Sequence, residues 1–227
     1  NLKELNLKID LYFFTNLNFL FHAKKYIKGE FFSTGTIISN SFNKCSKFSK
    51  IKKIQWISHF RPKKKLSENQ YYKKYIEPSI VPLQSIIKFC IKNDLRLEIL
   101  GRTNLKEEKL FYDKLLNGFK FKLRTNDLSK MKTNSYSAVS NDSIITGLDS
   151  QFLYENLSRG YRTVFFQTRS YFHKNKKLKF AYPYKTKDDF GFFWANKPNE
   201  KKFLKILDSV YKVNKAEWLN QIDKYKY

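Results

Sequence analysis

The stretch Leu148 to Gly160 (LDSQFLYENLSRG) holds the residues whose types and spacing best fit a chemical task. Asp149 or Ser150 is suited to cap a helix that follows an apolar strand directly, which leaves backbone N–H groups and the positive end of the helix dipole facing outward. A phosphate fits there. Glu155 lies five residues after Ser150, about 7.5 Å along the axis at 1.5 Å per residue, which matches the separation between a nucleotide's phosphates and its ribose hydroxyls. One helix would then hold both groups. The same spacing also fits an ordinary capped amphipathic helix with Glu155 in solvent.

A second signal lies in the arginines. Of 45 Lys+Arg only seven are arginine, and four of these, Arg61 (SHFRP), Arg102 (LGRT), Arg124 (KLRT) and Arg169 (QTR), fall at or just after expected strand ends. In an open parallel sheet, ligands bind where the strands deliver their carboxyl ends. Arginine presents a planar fork matched to phosphate or carboxylate oxygens, so its retention there points to an anionic ligand; pairing on the surface is the ordinary alternative. His59 lies beside Arg61 in the first βα loop. It could reach a phosphate or serve as acid or base, although a lone loop histidine is more often simply solvated. His173 sits in a basic loop. Asp149 has no second carboxylate at metal-ligand spacing, and Cys45 and Cys90 form no CxxC or Cys/His cluster, so neither a zinc site nor a disulfide framework is expected.

The elements that must position these residues alternate. Ile54 to Ser58 reads as a buried strand. Leu66 to Asn93 is helical in two pieces interrupted by Pro78 and Pro82, and Leu95 to Leu100 alternates with period two. Lys106 to Leu116 is helical, Phe119 to Leu123 strand-like, and 126–141 mostly loop. Ser143 to Leu148 is a strand, Ser150 to Arg159 a helix closed by Gly160, and Tyr161 to Gln167 another strand. Helices of this length between strands imply a parallel sheet covered on both faces. Beyond a basic loop, Asn199 to Lys212 and Lys215 to Lys224 read as terminal helices. Upstream, Leu2 to Lys28 is loosely helical, Gly29 to Phe42 contains a short strand, and Asn43 to Lys52 is basic, polar and aperiodic. The expected division is a remnant of a preceding domain with linker over 1–50, and the main domain over 51–227.

The 227 residues are 41% apolar and 18% aromatic, which excludes a disordered tail. The net charge of +25 attracts polyanions, anionic headgroups and phosphorylated metabolites, but the excess of lysine over arginine also fits an AT-rich genome. Aromatics interleave with lysine in QYYKKY, FKFKLR and DKYKY, as in a nucleic-acid-binding module, yet no nucleic-acid motif accompanies them. Lysine runs such as Lys73-Lys74 are read first as a solvated face and second as a surface for peripheral contact with anionic membrane. Ile9 to Phe21 is too short and polar to span a bilayer. The cytoplasm, including the inner face of the cell membrane, is the expected location. Starting at Asn1 rather than Met, the chain is expected to be a piece of something longer.

Strand, D-S-x-x-x-x-E, four residues, Gly and apolar strand resembles the donor-binding segment in the carboxyl-terminal domain of GT-B glycosyltransferases. More narrowly, TGLDSQFLYENLSRGYRTVFF resembles bacterial surface-carbohydrate biosynthesis transferases with a pattern close to DSTLGYEALARGKKVAFF. ILGR at Ile99 to Arg102, E..FY at Glu108 to Tyr112 and GFFW at Gly191 to Trp194 extend the likeness over most of residues 50–220. The resemblance implies an α/β fold with a Rossmann-like parallel sheet, one half of a GT-B fold, with the terminal helices packing back toward the missing half. It implies a nucleotide-sugar donor and a glycan or lipid-linked acceptor. Ser150 and Gln151 would contact the donor diphosphate, Glu155 the ribose, and Asp149 and Arg169 would line the same site. The Ser150 helix start and Arg102, with Arg61 next in line, would serve the departing phosphate, His59 would complete the candidate catalytic residues as a phosphate contact or an acid or base, and no cofactor or essential metal is expected. Gln151 stands where the pattern has threonine, and Phe152-Leu153 where it has Leu-Gly. A nucleotide-sugar epimerase of the same architecture and a basic nucleic-acid-binding module are the alternatives.

Overall fold

The computed structural model describes residues 7–14, 23–33, 42–63, 66–101, 105–124, 134–172 and 188–225. The chain divides into two compact units, Asn1–Asn43 with Lys224–Tyr227, and Lys44–Asp223.

In the first unit, β1 (Leu7–Phe14) pairs in parallel with β2 (Ile27–Ser33). This corrects the helical expectation for Leu2 to Lys28. Leu7, Ile9, Leu11 and Phe13 alternate with Lys8 and Asp10, a period of two that the surrounding aromatics obscured.

The second unit is a six-stranded sheet in which every pairing is parallel, flanked by helices, a Rossmann-like α/β fold. Its strands are β3 (Lys53–Ile57), β4 (Arg96–Leu100), β5 (Phe121–Arg124), β6 (Ser143–Gly147), β7 (Thr163–Phe166) and β8 (Trp194–Ala195). They lie in the order β5-β4-β3-β6-β7-β8. Because helices cover both faces, the central strands are apolar almost throughout: β7 (TVFF) is buried at every position, as is β6 (SIITG). Besides the hydroxyls of Thr146 and Thr163, the buried polar side chains Lys53, Gln55, Glu98 and Ser143 form one cluster. Gln55 Nε2 donates to Glu98 Oε2 (3.0 Å) and to the Ala138 carbonyl (2.8 Å), Lys53 pairs with Glu98 at 3.3 Å, and Ser143 Oγ donates to Gln55 Oε1 at 2.9 Å. A buried polar group without a partner is costly; here the partners are mutual, and they tie the chain between β5 and β6 to the sheet.

The helices are α1 (Glu68–Tyr71), α2 (Glu77–Asn93), α3 (Leu105–Leu116), α4 (Asn134–Ser137), α5 (Gln151–Ser158), α6 (Thr168–Phe172), α7 (Glu200–Lys212) and α8 (Lys215–Asp223). The prolines do not break α2. Pro78 lies in its first turn, where a missing N–H costs nothing, and Pro82 is carried inside. The discontinuity is instead a π-helical turn, Tyr72–Ile76, between α1 and α2. Pro82 has no proton for the carbonyl four residues back, and the buried Thr168 hydroxyl donates to that Pro78 carbonyl at 2.5 Å. One missing helical bond thereby joins α2 to the start of α6.

Segment 44–52 packs with this unit rather than linking to it. Cys45 and Ile51 are buried, the Cys45 N–H donates to the Arg159 carbonyl and the Lys52 N–H to the Asp142 carbonyl. Two short elements, α6 and β8, lie in the region read as basic loop. Gly191 is required because a Cβ would run into the Trp194 ring, so GFFW is a packing motif. The terminal helices complete the core of this unit. Phe203 of α7 stacks on Phe166 at 4.4 Å, and Trp218 of α8 is buried with its Nε1–H on the Gly160 carbonyl at 3.1 Å.

Candidate functional site

The strand order reverses between β3 and β6, so the chain leaves these neighbours in opposite directions and a crevice opens at their carboxyl ends. It encloses about 150 Å³. Ser58, His59 and Arg61 enter from the loop after β3, and Asp149 and Ser150 from the loop after β6. Lys74 and Tyr75 reach it from the π turn, and Arg169 from α6. Three cations thus meet one carboxylate.

Each side chain has a physical reason to be there. Ser58 Oγ donates to the wholly buried Glu108 carboxylate, while accepting from Tyr112 OH (3.0 Å) and the Phe60 N–H (3.2 Å). A hydroxyl has one proton and two lone pairs, all engaged, which fixes the loop that presents His59 and Arg61. Tyr71 OH donates to the Arg61 carbonyl at 2.9 Å and closes that loop against α1. Thr168, held on Pro78, sets the backbone of Arg169. Arg169 Nη1 donates to Asp149 Oδ1 at 2.6 Å, and its guanidinium lies 5.9 Å from the Tyr75 ring centre.

His59 is held neutral. Burial, then the Arg169 guanidinium, pushes its pKa down to about 3, with the Tyr75 carbonyl opposing and Arg61 adding to the fall. Its Nε2 lies 2.7 Å from the Tyr75 carbonyl and 2.8 Å from Ser79 Oγ. A carbonyl only accepts, so Nε2 carries the proton and Nδ1 the lone pair; Nδ1 is buried with no partner among the described residues. A ring so committed does not protonate a phosphate at neutral pH. It anchors the π turn to the loop after β3.

Ser150 is the N-cap of α5, in extended backbone (φ −128°, ψ 133°), and its hydroxyl makes no capping bond, so it does not cover the opening N–H groups of the helix. Gly160, at φ +83°, ends the segment in the left-handed region. Gln151 is exposed and its amide donates to Glu155 Oε1 at 3.0 Å. Glu155 itself is buried at 8% exposure, not solvated, and its other oxygen accepts from Tyr136 OH. It is not among the residues that line the crevice.

Five residues singled out in the sequence therefore converge: His59, Arg61, Asp149, Ser150 and Arg169. Arg124 does not join them, because it pairs with Glu98 at 3.4 Å. Arg102, His22 and His173 lie outside the described residues. Lys74 and Tyr75 had no local signal, although two prolines four apart mark a helix with a freed carbonyl near its start. Among the described residues no three His, Cys, Asp or Glu come together as a metal site, and no helix is long and apolar enough to cross a membrane.

The sequence profile of a family described as putative O-antigen biosynthesis protein matches residues 2–227. No curated protein matches the chain.

Proposed function

Because the chain belongs to this O-antigen biosynthesis family, we propose that it is a glycosyltransferase, or the donor-binding half of one, and that a nucleotide-activated sugar places its diphosphate in the crevice between β3 and β6. The observation that carries this reading is the meeting of Arg61, Lys74 and Arg169 with the open start of α5 at the point where the strand order reverses. Those groups match the charge that grows on a departing diphosphate, where fixed donors act most strongly. In the transfer, an acceptor hydroxyl oxygen attacks the anomeric carbon and the bond from that carbon to the diphosphate oxygen breaks. The diphosphate keeps the electron pair, and the hydroxyl proton passes to a base. Arg61 and Arg169 hold the leaving group, with Arg102, two residues past β4 in the sequence, as a further candidate. Glu155, kept in place by Tyr136 and Gln151, is the candidate ribose contact beyond the crevice, one helical turn past Ser150, its Oε1 released when the exposed Gln151 amide turns to solvent. The acceptor is a surface glycan or its lipid-linked precursor. No bound metal is needed, since the cations are the protein's own.

Thermal unfolding across a panel of nucleoside diphosphates tests this. At a hundredfold excess over Kd, a diphosphate raises Tm by about 5–10 °C. Nucleosides without phosphate do not, and the shift is lost in Arg61→Ala. Retention of the full shift in Arg61→Ala and Glu155→Ala, or stabilisation by random single-stranded DNA alone, overturns the assignment.

A further inference from the structure

We propose that Asp149 is an internal competitor for Arg169: in the unliganded protein its carboxylate occupies the guanidinium that an incoming phosphate must take, so ligand entry exchanges one anion for another. This rests on the reading of the crevice as a diphosphate site.

The pair bridges the loop after β6 and the start of α6, which follows the adjacent strand β7, at 2.6 Å across the crevice lining. Its two side chains are 33% and 21% exposed, so water reaches the contact and the pair can part. Asp149 stands one residue before the cap of α5, where a negative charge meets the positive end of the helix as a phosphate would. The carboxylate thus stands in for the ligand. The backbone of Arg169 is fixed from behind by the Thr168 hydroxyl on the Pro78 carbonyl, so turning from Asp149 to a ligand needs only side-chain rotation. Space points the same way. The crevice holds about 150 Å³ with the pair closed, against roughly 300 Å³ at the lower end for small-molecule sites. Parting the pair widens the mouth, and Arg61 and Lys74 keep the field positive meanwhile.

Two other roles make different forecasts. If Asp149 orients Arg169 for the ligand, its loss weakens binding. If it merely repels anions, its loss strengthens binding whether or not Arg169 is present. Calorimetric titration of the full chain with inorganic pyrophosphate separates the three, using the parent, Asp149→Asn, Arg169→Gln and the double variant, each checked for parent-like circular dichroism. An exchange predicts that Asp149→Asn tightens pyrophosphate binding about fivefold, the population returned when a partly exposed ion pair is removed, and that the gain vanishes in the Arg169→Gln background. Equal gain in both backgrounds, or weaker binding by Asp149→Asn, overturns the exchange while leaving the diphosphate site standing. If neither the parent nor Asp149→Asn binds pyrophosphate, both readings fall.

Discussion

Replacing Thr168 by valine tests how α2 and α6 hold the crevice. Valine keeps the shape and deletes one hydroxyl. That hydroxyl donates to the Pro78 carbonyl at 2.5 Å, and the position is wholly buried. The helix offers no substitute, because the residue four positions on is Pro82. A buried carbonyl left without its donor costs about 1–3 kcal/mol, and taking about 2 kcal/mol for a unit of this size the Tm falls by about 4–8 °C. Urea and thermal unfolding followed by circular dichroism give the value. The second arm of the experiment isolates the cause. In a Pro82→Ala background the new N–H reaches the Pro78 carbonyl, so adding Thr168→Val there costs less than half as much as in the parent. An unchanged Tm for Thr168→Val, or an equal loss in both backgrounds, refutes the idea that the missing proline proton is what this threonine replaces.

Glu98 makes stability depend on acid. Burial pushes its carboxyl up, but the Gln55 amide, Lys53 and Arg124 outweigh that and hold it below its ordinary value near 4.5. Its contribution is therefore complete above about pH 4.5 and is lost as pH falls through the lowered value. Glu98→Gln should be less stable than the parent at pH 7, with the gap closing toward pH 3 in urea titrations. His59 acts over a higher window. Its pKa is about 3 in the fold against 6.5 free, so the unfolded chain takes up its proton first and stability declines as pH falls from about 6.5. Nitrogen NMR of its ring should show a proton on Nε2 at pH 6 and no titration above pH 5, and His59→Gln should flatten the decline. Gly191→Ala forces a methyl group into the Trp194 ring and should cost about 1–3 kcal/mol, read from the urea midpoint.

Much of the sheet unit was legible because its signals were local. The run Ser143 to Gly147, the stop at Gly160 and the run Thr163 to Phe166 each carry their own chemistry and fold as read, whereas Ser150 takes the N-cap position without its hydroxyl making the capping bond. What escaped depended on distant partners. Cys45 and Ile51 are isolated buried positions with no period to announce them. Pro82 looked like a breaker because the residue that answers it, Thr168, lies far along the chain. The two-residue β8 is too short to show alternation. In the site, arginines at strand ends were informative because topology alone brings those ends together. Lys74 and Tyr75 were not, since a π turn has no residue signature. The burial of Glu155 was not legible, because the phenol that covers it comes from α4.

The crevice takes its wall from four separate stretches of chain, and from Ser58 to Arg169 they span about half of it. None of these stretches alone contains the whole wall. A nascent chain on the ribosome lacks the full wall of the crevice until β7 and the start of α6 have emerged. On the proposed reading, occupancy by an anion would therefore report that these stretches have come together, and a protease cut in an exposed loop between them would silence binding unless the pieces stay together.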